Sequence, residues 1–173
     1  MLDFVPNHVA VDHPWVSEHP EYFVQGRPDD LKRDPDSFIP IVGKVFAWGR
    51  DPYFPAWKDV LQLNAFAPGL RRAALETVSG IAEQCDGIRC DMAMLLMNRI
   101  FERTWGHGGG QQAGIPPATE YWQDVIQAVR RKSPDFLLMA EAYWDLEWEL
   151  QQQGFDYLTT AKTSWTDLTA KTS

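Results

Sequence analysis

The strongest constraint on the fold is the order in which strand-like apolar runs alternate with helical stretches. The spacing of apolar residues predicts one helix over 68–84 and another over about 119–132. Strands that alternate with crossover helices form parallel sheets, so an α/β fold is predicted. The strand-like runs are "MLDFVPN" (1–7), "DGIRCDMAML" (86–95), "FLLMAEAYW" (136–144) and, after a short helix "DLEWELQQQ", "GFDYL" (154–158).

Two segments lack this regularity. Residues 9–67 carry many prolines, aspartates and aromatic residues with little periodicity, which predicts a long ordered loop excursion after the first strand. Loops of that length are usually functional or form small subdomains. Residues 98–117 show a mixed pattern, and "GHGGGQQAGIPP" within them predicts a flexible loop.

Composition excludes several classes of protein. A chain of 173 residues that is 45% hydrophobic can bury a sizeable core. A formal net charge of −8, with no basic cluster longer than 130–132, predicts no nucleic-acid partner. No apolar run approaches the roughly 18 residues of a membrane span, and no signal peptide is visible, so a cytoplasmic protein without membrane contact is expected.

Metal and disulfide chemistry is also not expected. The cysteines are Cys85 and Cys90 alone, which favours two reduced thiols. The four histidines show no metal-ligand spacing, so no metal residue is nominated.

Polar side chains occur where three predicted strands end. Asn7 and His8 follow the first strand, Arg89 and Asp91 lie in the second, and Glu141 interrupts the third. Active sites of α/β barrels lie at the carboxyl ends of strands. A buried charge is costly unless it is paired or used, so Arg89 is expected within hydrogen-bonding reach of a carboxylate. A lone carboxylate is more often structural, but two at neighbouring strand ends beside an arginine suit glycoside hydrolysis.

Four motifs together resemble one known family. "DFVPNH", "GIRCDMA" and "LMAEAYW" resemble the first three consecutive signatures of the α-amylase family of glycoside hydrolases (glycoside hydrolase family 13). "VLQLNAFAPGLR" resembles the stretch that ends that family's inserted loop domain. The resemblance spans residues 2 to about 157. It implies a partial (β/α)8 TIM barrel with its third to sixth strands, and a loop subdomain (9–67) inserted after the first strand present.

The resemblance also implies roles for the charged residues. Asp91 matches the nucleophile that forms a glycosyl-enzyme intermediate. Arg89 matches the arginine that keeps the nucleophile ionised, since a nearby cation lowers a carboxylate's pKa. Glu141 matches the general acid/base, whose pKa the apolar residues before it are expected to raise.

Three further residues match supporting positions. His8 matches the histidine that hydrogen-bonds the sugar at the cleavage subsite. Asp3 matches a buried aspartate that supports the arginine, and Asn7 matches a residue that helps bind calcium in some members.

The sequence departs from the family at three places. Met94 and Leu95 replace a Lys-His pair, and Gln62 stands where the loop-domain signature usually has aspartate. These changes argue against the family's usual calcium site, so no cofactor is expected, and typical starch endo-hydrolysis is disfavoured. "DHPWVSEHPEYF" (12–23) also resembles α-glucan transferases, including maltosyltransferases.

The predicted function is a retaining α-glycosidase or transglycosidase acting on α-linked glucosides or oligosaccharides. The alternatives are a maltosyltransferase-like enzyme and a non-catalytic remnant. The family's first two barrel units and its fourth signature, with a third catalytic carboxylate, find no match, so a truncated form with little activity of its own is expected. Residues 158–173, with "AKTS" twice, are expected to be a non-native or disordered tail.

Aromatic residues raise one further question. Packing is expected for most of a cluster in the loop segment, with stacking on sugar rings as the alternative. Trp144 and Trp148, four residues apart, are expected to pack as well. The cluster comprises Phe46, Trp48, Tyr53, Phe54 and Trp57.

Overall fold

The computed structural model describes residues 1–106 and 113–160. Its strands are β1 (Leu2–Phe4), β2 (His8–Ala10), β3 (Gln25–Gly26), β4 (Phe38–Ile41), β5 (Lys44–Gly49), β6 (Trp57–Gln62), β7 (Gly87–Cys90), β8 (Leu137–Glu141) and β9 (Tyr157–Thr159). Its α-helices are α1 (Trp15–Glu18), α2 (Pro28–Arg33), α3 (Pro68–Ala82), α4 (Asn98–Trp105), α5 (Tyr121–Lys132) and α6 (Glu147–Gln152). Short 3-10 helices cover Pro20–Tyr22 and Ala93–Leu96.

A parallel sheet organises the part of the chain that carries the strand-end residues. Its strands lie in the order β1-β7-β8-β9, and every neighbouring pair is parallel. Alternate residues of β7 and β8 turn to the helical side, where Ile88, Cys90, Leu138 and Ala140 are fully buried. The predicted α/β class with a parallel sheet is therefore confirmed.

Helices α3 and α5 cover that side of the sheet. Val78 of α3 and Val125 of α5 belong to the same hydrophobic core as Ile88 and Leu138. Both helices were predicted from apolar spacing, and their observed ends differ from the predicted ones by only two residues.

Residues 8–62 contain strands that apolar periodicity does not reveal. Antiparallel strands lie in the order β2-β6-β5-β3, with β4 paired to β5. Apolar periodicity did not predict these strands because β5 buries Val45–Gly49 without interruption, so it shows no alternation of apolar and polar residues. Phe46 and Trp48 are buried here, as expected for packing.

Residues 98–105, where the sequence pattern is mixed, form α4 with Ile100, Phe101 and Trp105 on its buried face. Leu158 and Thr159, expected to begin the irregular tail, instead pair with β8. Half of the predicted glycine-rich loop (107–112) and the remaining tail (161–173) lie outside the described residues. Within the described ranges, no helix has the length and apolar character needed to cross a membrane.

Candidate active site

One guanidinium joins carboxylates from three neighbouring strands. Arg89 Nη1 lies 2.8 and 3.1 Å from the two carboxylate oxygens of Asp3 and 3.0 Å from Asp91 Oδ1. Arg89 Nη2 lies 2.8 Å from Glu141 Oε2. The arginine is therefore paired as its place in the strand predicted, and these charge-assisted contacts offset the cost of partly burying it.

Strand register explains why these residues meet. Asp3 of β1 is the register partner of Arg89 on β7, and Asp91 is two residues further along, on the same face. The Asp91 backbone N–H donates to Phe4 O at 2.9 Å, which holds the end of β7 against β1. Glu141 is the last residue of β8, so its side chain reaches the same edge.

Glu141 is held by two further donors. The Met92 backbone N–H donates to its Oε2 at 2.9 Å, and the Tyr143 hydroxyl donates to its Oε1 at 2.7 Å. Burial raises the pKa of Glu141, but these hydrogen bonds and the Arg89 charge outweigh it and lower the pKa below its ordinary value. The predicted rise was wrong because donors, rather than the apolar residues of β8, surround the carboxylate.

Asp91 is shifted in the opposite direction. Burial, followed by the negative charge of Glu141, raises its pKa, and Arg89 offsets this only in part. The expectation of a lowered pKa was wrong because burial and the Glu141 charge outweigh Arg89, whose single positive charge is shared among three carboxylates.

Asp3 is not the buried support that the resemblance implied. Its side chain is 59% exposed, although it contacts Arg89. The reason is its place on β1, which is an end strand of the parallel sheet in the described residues.

His8 lies beside Asp91 in an open cleft of about 390 Å³, which Trp57, Asp59, Val60 and Met92 also line. The imidazole packs edge-on against the Trp57 ring, with centroids 5.4 Å apart. Burial lowers the His8 pKa, against the opposing effect of the Asp59 charge. This shift favours the neutral imidazole, which can both donate and accept a hydrogen bond.

Asn7 does not line this cleft. It is buried, and its carboxamide faces that of Gln62, whose Nε2 donates to Asn7 Oδ1 at 2.9 Å. The described residues contain no group of three or more His, Cys, Asp or Glu side chains that could hold a metal ion.

Known proteins resemble this chain in fold rather than in overall sequence. Neither a protein-family model nor a curated protein matches the sequence. Solved structures do match. An α-amylase from Lactobacillus plantarum is 25% identical, with a TM-score of 0.53 over 90% of this chain and 28% of its own. The chain has a fold similar to part of an α-amylase-family structure.

Two other members of the family match at similar coverage. A family GH13_31 enzyme is 19% identical, with a TM-score of 0.63 over 92% of this chain and 35% of its own. A cyclic α-maltosyl-(1→6)-maltose hydrolase from Arthrobacter globiformis is 20% identical, with a TM-score of 0.56 over 92% of this chain and 30% of its own. The chain thus spans about a third or less of each of these three structures.

The family resemblance did not lead to Tyr143, which contacts the proposed acid/base directly. The sequence does contain a signal for this contact: Tyr143 follows Glu141 by two residues, which places both side chains on the same face of an extended chain. Met94 and Leu95, which replace the family's Lys-His pair, are buried in the core.

The remaining aromatic residues fall into different settings. Trp144 packs edge-on against Tyr53 with centroids 4.8 Å apart. Trp148 is 68% exposed, so its expected packing role was wrong: it lies on the outer face of α6, while Leu150 is buried. Tyr53 and Phe54 are exposed, and Trp57 alone of the predicted cluster lines the cleft.

Proposed function

We propose that this chain carries the nucleophile, Asp91, and the general acid/base, Glu141, of a retaining α-glycosidase or transglycosidase acting on α-linked glucosides. The observation that carries the proposal is that both carboxylates lie at the ends of adjacent parallel strands and contact one guanidinium. We further propose that the parallel sheet is part of a (β/α)8 barrel, with residues 9–67 as its inserted loop subdomain.

In this mechanism, the Asp91 carboxylate attacks the anomeric carbon while Glu141 donates a proton to the leaving glycosidic oxygen. Glu141 then removes a proton from water or a sugar hydroxyl, which displaces Asp91. Retaining enzymes hold these two carboxyl groups about 5–5.5 Å apart. In the ligand-free chain the Asp91 and Glu141 side chains lie within hydrogen-bonding reach of each other, so we expect them to separate to that distance around a bound glycoside. His8 and Trp57 supply a hydrogen-bonding group and an aromatic face beside Asp91, which suit a sugar ring.

The pKa shifts in the ligand-free chain favour a proton on Asp91 rather than on Glu141. The first chemical step needs the reverse. The two groups are linked, because a proton on Glu141 removes the negative charge that raises the pKa of Asp91. We propose that a bound glycoside displaces donors from Glu141, so that the pKa of Glu141 rises, and that protonation of Glu141 in turn lowers the pKa of Asp91.

Substitution combined with azide rescue tests the two roles. Asp91→Ala and Glu141→Ala are assayed with an α-glucosyl fluoride in the presence of azide. The nucleophile variant should form a glucosyl azide of inverted configuration, and the acid/base variant one of retained configuration. Asp86→Asn, which changes a carboxylate at the opposite end of β7, is the matched control and should keep the parent activity.

Exchanged configurations would mean that the roles of Asp91 and Glu141 are reversed, and no rescue of either variant would contradict the proposal. The balance between hydrolysis and transfer is read separately, from the products formed with a labelled maltooligosaccharide acceptor. Since the chain spans only part of its structural relatives, both experiments concern the activity of the whole protein.

A further inference from the structure

A buried amide nitrogen occupies the centre of an oxygen cluster where β1 leaves the parallel sheet. Gln62 Nε2 lies 2.9 Å from Asn7 Oδ1, 3.0 Å from Asn7 O and 3.0 Å from Leu63 O. Gln62 is fully buried and Asn7 is 1% exposed. Each of these oxygens presents negative partial charge to the nitrogen, as carbonyl oxygens also do to a bound Ca²⁺.

The contacts of Gln62 Oε1 determine the orientation of the Gln62 carboxamide. The Arg50 backbone N–H donates to Gln62 Oε1 at 3.3 Å, and Asn7 Nδ2 lies 3.5 Å from the same oxygen. If the amide were flipped, an oxygen would face three oxygens and the nitrogen would face an N–H donor. The nitrogen therefore points into the cluster, and one side chain connects the end of β1, the chain after β5 and the chain after β6.

The backbone around Gln62 is equally well connected. The Leu63 N–H donates to Asn7 O at 3.0 Å, and the Val24 N–H donates to Gln62 O at 3.0 Å. Gln62 is also the antiparallel partner of His8, the residue that lines the cleft beside Asp91. A change at Gln62 therefore affects the connection between the parallel sheet and the antiparallel strands.

The family resemblance implies calcium near Asn7 in some members, and the residues present do not fit that ion. The cluster supplies only neutral oxygens, and the Gln62 amide group fills its centre. Ca²⁺ needs 6–8 oxygen ligands at about 2.3–2.6 Å, usually with carboxylates among them.

We infer that the Gln62 carboxamide takes the place of a bound cation in this chain and joins the three segments without calcium. A single substitution should reverse this arrangement. Aspartate at position 62 is one methylene shorter, so it withdraws from the cluster centre and adds a negative charge. Without a cation, that buried charge is destabilising. With Ca²⁺, the carboxylate and the three oxygens supply up to five ligands, and water completes the coordination.

The test is thermal unfolding of the full chain, followed by circular dichroism, with and without Ca²⁺ at millimolar concentration. The parent protein should have the same Tm in Ca²⁺, in Mg²⁺ and in a chelator. Gln62→Asp should lower Tm by on the order of 5 °C in chelator and regain most of it in Ca²⁺. Gln62→Asn, equally shortened but neutral, is the matched control and should lose stability without regaining it.

A parent protein that Ca²⁺ stabilises, or that binds Ca²⁺ by calorimetry, would overturn the inference even if the Gln62→Asp variant failed to fold. A Gln62→Asn variant as stable as the parent would show that the amide does not join the segments. Equal behaviour of the two variants in Ca²⁺ would show that charge at this position does not create a cation site.

Discussion

Replacing Arg89 by methionine should destabilise the chain at neutral pH, because it removes the only cation that contacts Asp3, Asp91 and Glu141 together in the described residues. The Asp91 and Glu141 side chains are 25% and 13% exposed, so each of these contacts is partly desolvated. The Asp3 contact is largely in solvent and contributes little. Breaking a buried ion pair typically costs 3–5 kcal/mol, and partial exposure places the expected loss at about 3 kcal/mol.

The loss should depend on pH in a defined direction. In the parent, the lowered pKa of Glu141 contributes stability that is present above its unfolded pKa and is lost as pH falls through the folded pKa. The raised pKa of Asp91 acts oppositely: its ionised form is disfavoured at neutral pH, and this penalty disappears as pH falls. Without Arg89 both carboxylates should be harder to ionise, so the variant's deficit should be largest near pH 7 and shrink towards pH 4.

Urea denaturation followed by tryptophan fluorescence at pH 7 and pH 4.5 measures this difference. Arg89→Lys is the matched control, since it keeps the charge but cannot reach all three carboxylates with one planar group, and its deficit should be intermediate. An Arg89→Met variant as stable as the parent at pH 7, or equally destabilised at both pH values, would refute the reasoning.

Two further predictions concern Glu141 and the cleft beside Asp91. Tyr143→Phe removes a hydrogen bond that lowers the Glu141 pKa, so the basic limb of the pH profile of kcat/KM should move to higher pH. The free energy of unfolding at pH 7 should fall by about 1 kcal/mol. An unchanged pH profile would contradict this prediction. Trp57→Ala removes the aromatic face beside His8 and should raise KM for an α-glucoside about fivefold. The control Trp148→Ala changes an exposed residue outside the cleft and should leave KM unchanged. Equal KM values in the two variants would exclude stacking of the sugar on Trp57.

Prediction from sequence succeeded where a local pattern has a single structural meaning. The helices α3 and α5 were predictable because apolar side chains at helical spacing need one buried face. Arg89 was predictable as a paired residue because charge in a buried strand is costly unless it is compensated. The strands of residues 8–62 were not predictable, since β5 is buried without alternation and its partners are distant along the chain.

The pKa directions failed for a different reason. Sequence spacing paired Arg89 with Asp91 alone, and it placed Glu141 among apolar neighbours. The folded chain brings Asp3 and Glu141 to the same guanidinium and adds the Tyr143 and Met92 donors. Electrostatic interaction depends on distances between groups that lie far apart along the chain, so only the tertiary structure decides how one positive charge is divided.

The amino-acid sequence by itself determined which residues occupy the strand ends and that the strands run parallel, because strand period and crossover helices depend on neighbours along the chain. The tertiary structure alone decided which of these residues share the Arg89 guanidinium, and that the Gln62 amide lies among three oxygens. Those arrangements require the register of β1 with β7, of β7 with β8 and of β2 with β6, and register depends on side chains separated by tens of residues.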